Sequence, residues 1–194
     1  MNCTKILLAV ALISAMTFTT VAPAASRGED GPVSISLVTP VQIIDAQDAV
    51  YGLRLNLIYG RNKDVVGLDL GLFNVTTGDF GGLGLGLVNY VGGEMYGVHE
   101  GLVNWVVGDV YGGQAGLANY TAGALNGMQF GLLNCVDTLD GVQLGLVNHA
   151  VSATGVQLGA VNITRYLDGL QIGLVNIVSG REHFRFMPIV NGSW

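Results

Sequence analysis

Four acidic residues, Asp64, Asp79, Glu94 and Asp109, recur at intervals of 15 residues. Carboxylates brought together by a repeating fold repel one another unless a cation neutralises them, and such hard oxygen donors suit Ca2+. If the repeats stack, this spacing predicts an acidic ladder with calcium as its ligand. A sparser set, Asp140, Asp168 and Glu182, follows further along. The competing reading is solvated turn residues and no cofactor. The other residue types that do chemistry are poorly arranged. Of the three histidines, His99, His149 and His183, none has a second metal ligand two or four residues away. Gly81–Gly86 is glycine-rich like a phosphate loop, but no Lys-Ser/Thr pair follows it. No serine sits in a Gly-x-Ser-x-Gly turn. No catalytic residue is assigned, and the chain reads as a protein without enzymatic activity. A carbohydrate-active enzyme stays open as an alternative, since its carboxylates would come from different repeats.

The acids fall at the turns of a repeat. The octet Gly141-Val-Gln-Leu-Gly-Leu-Val-Asn148 returns as Gly155-Val-Gln-Leu-Gly-Ala-Val-Asn162 and as Gly169-Leu-Gln-Ile-Gly-Leu-Val-Asn176. Its terminal asparagine defines a column: Asn74, Asn89, Asn104, Asn119, Asn134, Asn148, Asn162 and Asn176. The steps between these are 15 residues up to Asn134 and 14 thereafter. Nine repeats align, starting at Gly52, Gly67, Gly82, Gly97, Gly112, Gly127, Gly141, Gly155 and Gly169. Within the octet, period two places Leu170, Ile172 and Leu174 on one face, with Asn176 following on that face, and Gly169, Gln171, Gly173 and Val175 on the other, so each octet reads as a strand. Thirty glycines, recurring every few residues, make a helix very costly.

Half of the chain is hydrophobic, which disfavours wholesale disorder. The net charge of −6 and the lack of any basic stripe exclude nucleic acid as a partner. Residues 1–24 read as a signal peptide, with Lys5, an apolar run from Ile6 to Met16, and a cleavage site at Ala22-Pro23-Ala24. Cys3 precedes the apolar run, so there is no lipobox. Cys135 is then the one cysteine expected in the mature chain, and no intramolecular disulfide is expected. It stands in a column with Tyr90, Trp105, Tyr120, His149 and Ile163, where it reads as a small semi-buried hydrophobe. Residues 25–51 are expected to form a polar tether and an N-terminal strand or cap, 52–182 the repeat domain, and 183–194 a C-terminal end strand marked by Pro188.

An all-β fold follows, in one of two architectures. In a β-solenoid each repeat is one coil, and nine coils make a rod of roughly 43 Å at about 4.8 Å per rung. The leucines would fill its core and the asparagines would form an internal amide ladder, as stacked Asn side chains do in cross-β structures. The sequons at Asn74, Asn119 and Asn162 would then be inaccessible. In an up-and-down outer-membrane β-barrel, each repeat is one strand, with leucines towards lipid. The solenoid is favoured because near-identical strands and turns give no net stagger, whereas a barrel needs shear.

The Gly-Leu-Gln-x-Gly-Leu-Val-Asn repeat and the closing Met-Pro-Ile-Val-Asn-Gly-Ser-Trp resemble a family of bacterial surface-repeat proteins of the leptospiral surface-lipoprotein type. The resemblance covers about residues 33–194. It implies export and a surface or outer-membrane setting, and it carries no catalytic residues. The missing lipobox departs from the lipoprotein members. The expected role is structural or interactive, at the cell surface, in the outer membrane or secreted, with a protein or glycan as partner and outer-membrane association as a further expectation.

Overall fold

The computed structural model describes residues 30–194, and the expected signal peptide and most of the expected tether lie outside them. None of the described residues is helical. The chain forms a β-solenoid. Its strands are β1 (Gly31–Val38), β2 (Val41–Gln42), β3 (Val50–Asn62), β4 (Val65–Thr76), β5 (Phe80–Val91), β6 (Met95–Glu100), β7 (Val103–Val106), β8 (Val110–Thr164), β9 (Tyr166–Val178) and β10 (Phe186–Ser193). The unbroken β8 runs through several coils.

Successive coils pair in parallel, equivalent residue on equivalent residue. Gly52 lies on Gly67, Gly67 on Gly82 and Gly82 on Gly97. Asn74 lies on Asn89, Asn89 on Asn104, Asn104 on Asn119, and Asn162 on Asn176. Neighbouring strands of an up-and-down barrel must be antiparallel, so this pairing excludes that alternative. The N-terminal strand joins the stack as a further rung, with Ser34 on Arg54 and Ile35 on Leu55.

Both ends depart from the parallel rule. β2 lies antiparallel on the outer edge of β1, and β10 lies antiparallel on β9, with Asn191 opposite Gln171.

The expectation that leucines fill the interior is overturned. The apolar core consists instead of two columns flanking the turns. One runs Val50, Val65, Phe80, Met95, Val110, Leu125, Leu139, Ala153 and Leu167. The other includes Val91, Val106, Val136, Ala150 and Val178. Burying each of the larger side chains among them contributes roughly 1.5–3 kcal/mol. The octet leucines face outward: Leu72, Leu87, Leu102, Leu117, Leu132, Leu146 and Leu174 are all exposed. Period two separates Leu170, Ile172 and Leu174 from Gln171 but does not say which face is inner, and it fails at the end of the octet: Asn176, expected on the leucine face, is buried with Gln171 because the parity of the strand changes between them. In a coil this narrow the inner face takes the flat glutamine amides, which satisfy one another, and the bulkier leucines lie outside.

Candidate functional site

Two amide columns line the inside of the coil. In the first, each asparagine Nδ2 donates to the Oδ1 of the next asparagine at 2.8–2.9 Å, from Asn74 through Asn176. The same Nδ2 also donates to a backbone oxygen of the next coil, for example from Asn104 to Ala115 at 2.8 Å and from Asn119 to Phe130 at 2.9 Å. Both amide protons are thereby used, which meets the requirement that a buried amide be fully paired.

A glycine three residues before each asparagine makes this possible. A Cβ on Gly116 would lie 2.9 Å from Asn104 Nδ2, and closer still to the backbone oxygen of Gly101. The first glycine of the octet has a separate reason: Gly112 holds φ at 141°, in the region that favours glycine, and its eight counterparts do likewise.

The second column was not anticipated. Gln114, Gln129, Gln143, Gln157 and Gln171 are all buried; from Gln129 onward each Nε2 donates to the Oε1 of the preceding coil at 2.7–2.8 Å, while Gln114 Nε2 donates to the Tyr120 carbonyl at 3.4 Å. Asparagine amides thus donate towards the C-terminal end and glutamine amides towards the N-terminal end, so the two dipole columns oppose each other. Counting back by 15 from Gln114 gives His99, Gly84, Asp69 and Arg54, a signal present in the sequence.

These N-terminal rungs carry charge. Arg54 Nε and Nη2 donate to the two Asp69 carboxylate oxygens at 2.8 and 2.6 Å, and Nη1 donates to the Val75 carbonyl at 2.9 Å. Asn56 Nδ2 adds a bond to Asp69 at 3.1 Å. Both members of the ion pair are buried. His99 is buried against Phe80, ring centroids 4.3 Å apart, and neither ring nitrogen has a hydrogen-bond partner among the described residues. Its imidazole pKa is pushed down to about 3, first by burial and then by the charge of Arg54. Burial also lowers His149.

The acidic residues come together differently from the calcium expectation. Asp64 Oδ1 accepts from the Asp79 backbone N–H at 2.9 Å, Asp79 Oδ1 from Glu94 N–H at 2.8 Å, and Asp109 Oδ1 from Ala124 N–H at 2.7 Å. Each of these carboxylates ties its turn to the next coil. Glu94 instead accepts from the Tyr96 hydroxyl, which pushes that phenol up to about 12. Among the described residues no group of three or more His, Cys, Asp or Glu could hold a metal ion. In place of the cation expected at Asp64, Asp79, Glu94 and Asp109, the three aspartates bind turn amides and Glu94 binds Tyr96. Their spacing reports the repeat, and the unpaired turn amides are what they satisfy.

Cys135 is fully buried beside Tyr120, with Trp105 against the same cluster. The other cysteine of the sequence, Cys3, lies outside the described residues.

The octet leucines and their counterparts form one outward apolar face. Its three columns begin at Leu53, Leu55 and Leu57 and end at Leu170, Ile172 and Leu174. Glu100 is the one charged residue on these columns. Along the middle column Ala115 follows Glu100 and precedes Phe130, so a small side chain sits next to a large one. A hollow of about 590 Å³ lies there, lined by Leu85, Leu87, Glu100, Leu102, Ala115 and Phe130 among others. Phe130 itself is 63% exposed.

Comparison with family models, with curated proteins and with solved structures found no match.

Proposed function

We propose that this chain is an exported, non-catalytic structural or interaction protein of the cell surface or envelope, working through its leucine face. The supporting observation is the division of labour between the two sides of the coil. The side chains with chemical capacity are spent holding the coil together: Arg54 and Asp69 on each other, the amides on their own ladders, the turn acids on backbone N–H groups. The outward columns carry leucine, valine, isoleucine and phenylalanine, which recognise by area and shape. A flat apolar face fits a protein partner better than a glycan, whose hydroxyls need polar pairing. The signal-like N-terminal sequence supports export.

Localisation is tested by protease treatment of intact cells, with N-terminal sequencing of the recovered protein. Loss of the protein on treatment, together with a chain starting at Ala25, supports the reading. A protease-protected cytoplasmic protein that keeps Met1 overturns it.

A further inference from the structure

The leucine face is large for a surface meant to stay in water. The nine coils and the β1 rung, at about 4.8 Å each, give roughly 48 Å of length, and five residues of extended strand give roughly 13 Å of width. The product, about 600 Å², reaches the lower end of what each partner contributes to a stable interface and the upper end of the largest apolar patch a typical monomer shows.

Three features point to what covers it. The face is a ladder of in-register rungs, so the partner surface that best matches it is one with the same spacing. It has a ridge and a dip on adjacent rungs of the same column, Phe130 beside Ala115. It also carries Glu100, exposed near the middle of its length. A carboxylate there counts against burial in the hydrocarbon of a bilayer, whereas a protein interface can leave it a bridging water.

A ridge next to a matching dip is the pattern of a self-complementary surface, in which residue i meets j and j meets i. Consider a two-fold axis lying in the interface and running along the strands, between the Ala115 and Phe130 rungs. Rotation about it keeps each column facing its own counterpart and reverses the rod direction. Phe130 of each copy then sits over Ala115 of the other, in the hollow beside Glu100. The axis lies near the middle of the rod, so every rung except β1 and the coil starting at Gly52 finds a partner rung.

We infer that the leucine face is covered by a second copy of this chain, packed face to face with the rods antiparallel. This rests on the leucine face being the interaction surface, but it is independent of where the protein resides.

The mass of the purified protein in solution tests it, by light scattering across 1–100 μM (a range of about two decades chosen to bracket a micromolar Kd). The expected result is a two-chain mass for the wild type and a one-chain mass for Leu117→Asp and Phe130→Asp, with unchanged far-ultraviolet circular dichroism. Val107→Asp, at an exposed position off the three columns, keeps the two-chain mass. Glu100→Leu lowers the dissociation constant. If Leu117→Asp loses its strand signal, Leu146→Asp replaces it on the same face.

A one-chain mass throughout the range overturns the inference, as does a two-chain mass untouched by both aspartates. A one-chain protein that co-floats with phospholipid vesicles overturns it in favour of a lipid surface. None of these outcomes bears on the localisation experiment, so the two readings fail separately.

Discussion

Arg54 and Asp69, 15 residues apart in sequence, form a two-pronged buried ion pair with N–O distances of 2.6 and 2.8 Å. They occupy the column that Gln114 to Gln171 continue, so the inner stack passes from charge at one end to neutral amide at the other. Breaking such a pair on one side leaves an uncompensated buried charge, which costs about 3–5 kcal/mol. Asp69→Ala is expected to lower stability by that order in urea unfolding followed by circular dichroism. The double variant Arg54→Met, Asp69→Leu recovers most of the loss, because no charge is then stranded. An exposed pair such as Lys63–Asp64, at 3.5 Å, contributes about 0–1 kcal/mol, and Lys63→Ala is expected to be near neutral in the same measurement.

Asn119 accepts from Asn104 and donates to Asn134 and the Phe130 carbonyl. Asn119→Ala strands the Asn104 amide donor and the Asn134 and Phe130 oxygens, and Asn119→Asp removes the donors while adding a charge. The expected order of unfolding midpoints is wild type, then Asn119→Ala, then Asn119→Asp, with about 1–3 kcal/mol lost per unsatisfied buried group. Equal midpoints for all three would show that the ladder is not what holds this corner.

Gly113 and Gly116 lie in the same coil with opposite surroundings. A Cβ on Gly113 would meet its nearest neighbour at an ordinary 3.6 Å, whereas one on Gly116 would collide with backbone and with the asparagine ladder. Gly113→Ala is expected to be neutral or slightly stabilising by restricting the unfolded chain, and Gly116→Ala strongly destabilising. Thermal melts of the two single variants give the comparison directly.

His99 supplies an acid-sensitive element. Its folded-state pKa of about 3 lies well below its ordinary value of 6.5. The unfolded chain therefore binds a proton below pH 6.5 that the folded chain refuses, and stability falls as pH drops from about 6.5 towards 3. His99→Gln extends the glutamine column by one rung and provides an acceptor for Gln114. The variant is expected to lose less stability than the wild type across that window, by several kcal/mol at its lower end. The carboxylates titrate in both proteins, so the difference between the two pH profiles isolates the imidazole.

The repeat, the all-β class and the asparagine column were legible in the sequence, because one residue type recurring at one spacing constrains both. Which face turns inward was not. Leu170 and Gln171 alternate clearly, but alternation carries no direction, and the usual inward placement of leucine fails where a coil has room only for a thin amide stack. Arg54, Asp69 and His99 were hidden for a related reason: each replaces the glutamine of its column with a different residue, so the column shows only when 15 is subtracted repeatedly from Gln114. The turn acids illustrate the converse. Asp64 and Asp79 have the spacing of a cation ladder, yet the turn N–H groups, invisible in a list of side chains, claim their oxygens.

The antiparallel strands β2 and β10 at the two ends have a consequence for solution behaviour. A parallel stack at cross-β spacing, with asparagine and glutamine ladders inside, has the internal arrangement of a fibril, and a bare end of it would recruit further chains. Here the last glutamine carbonyl is met by Asn191, itself held by Arg181, on a strand of reversed direction. An incoming parallel rung finds no matching template at that edge. The molecule is in effect a fibril of fixed length, able to be crowded without seeding its own growth.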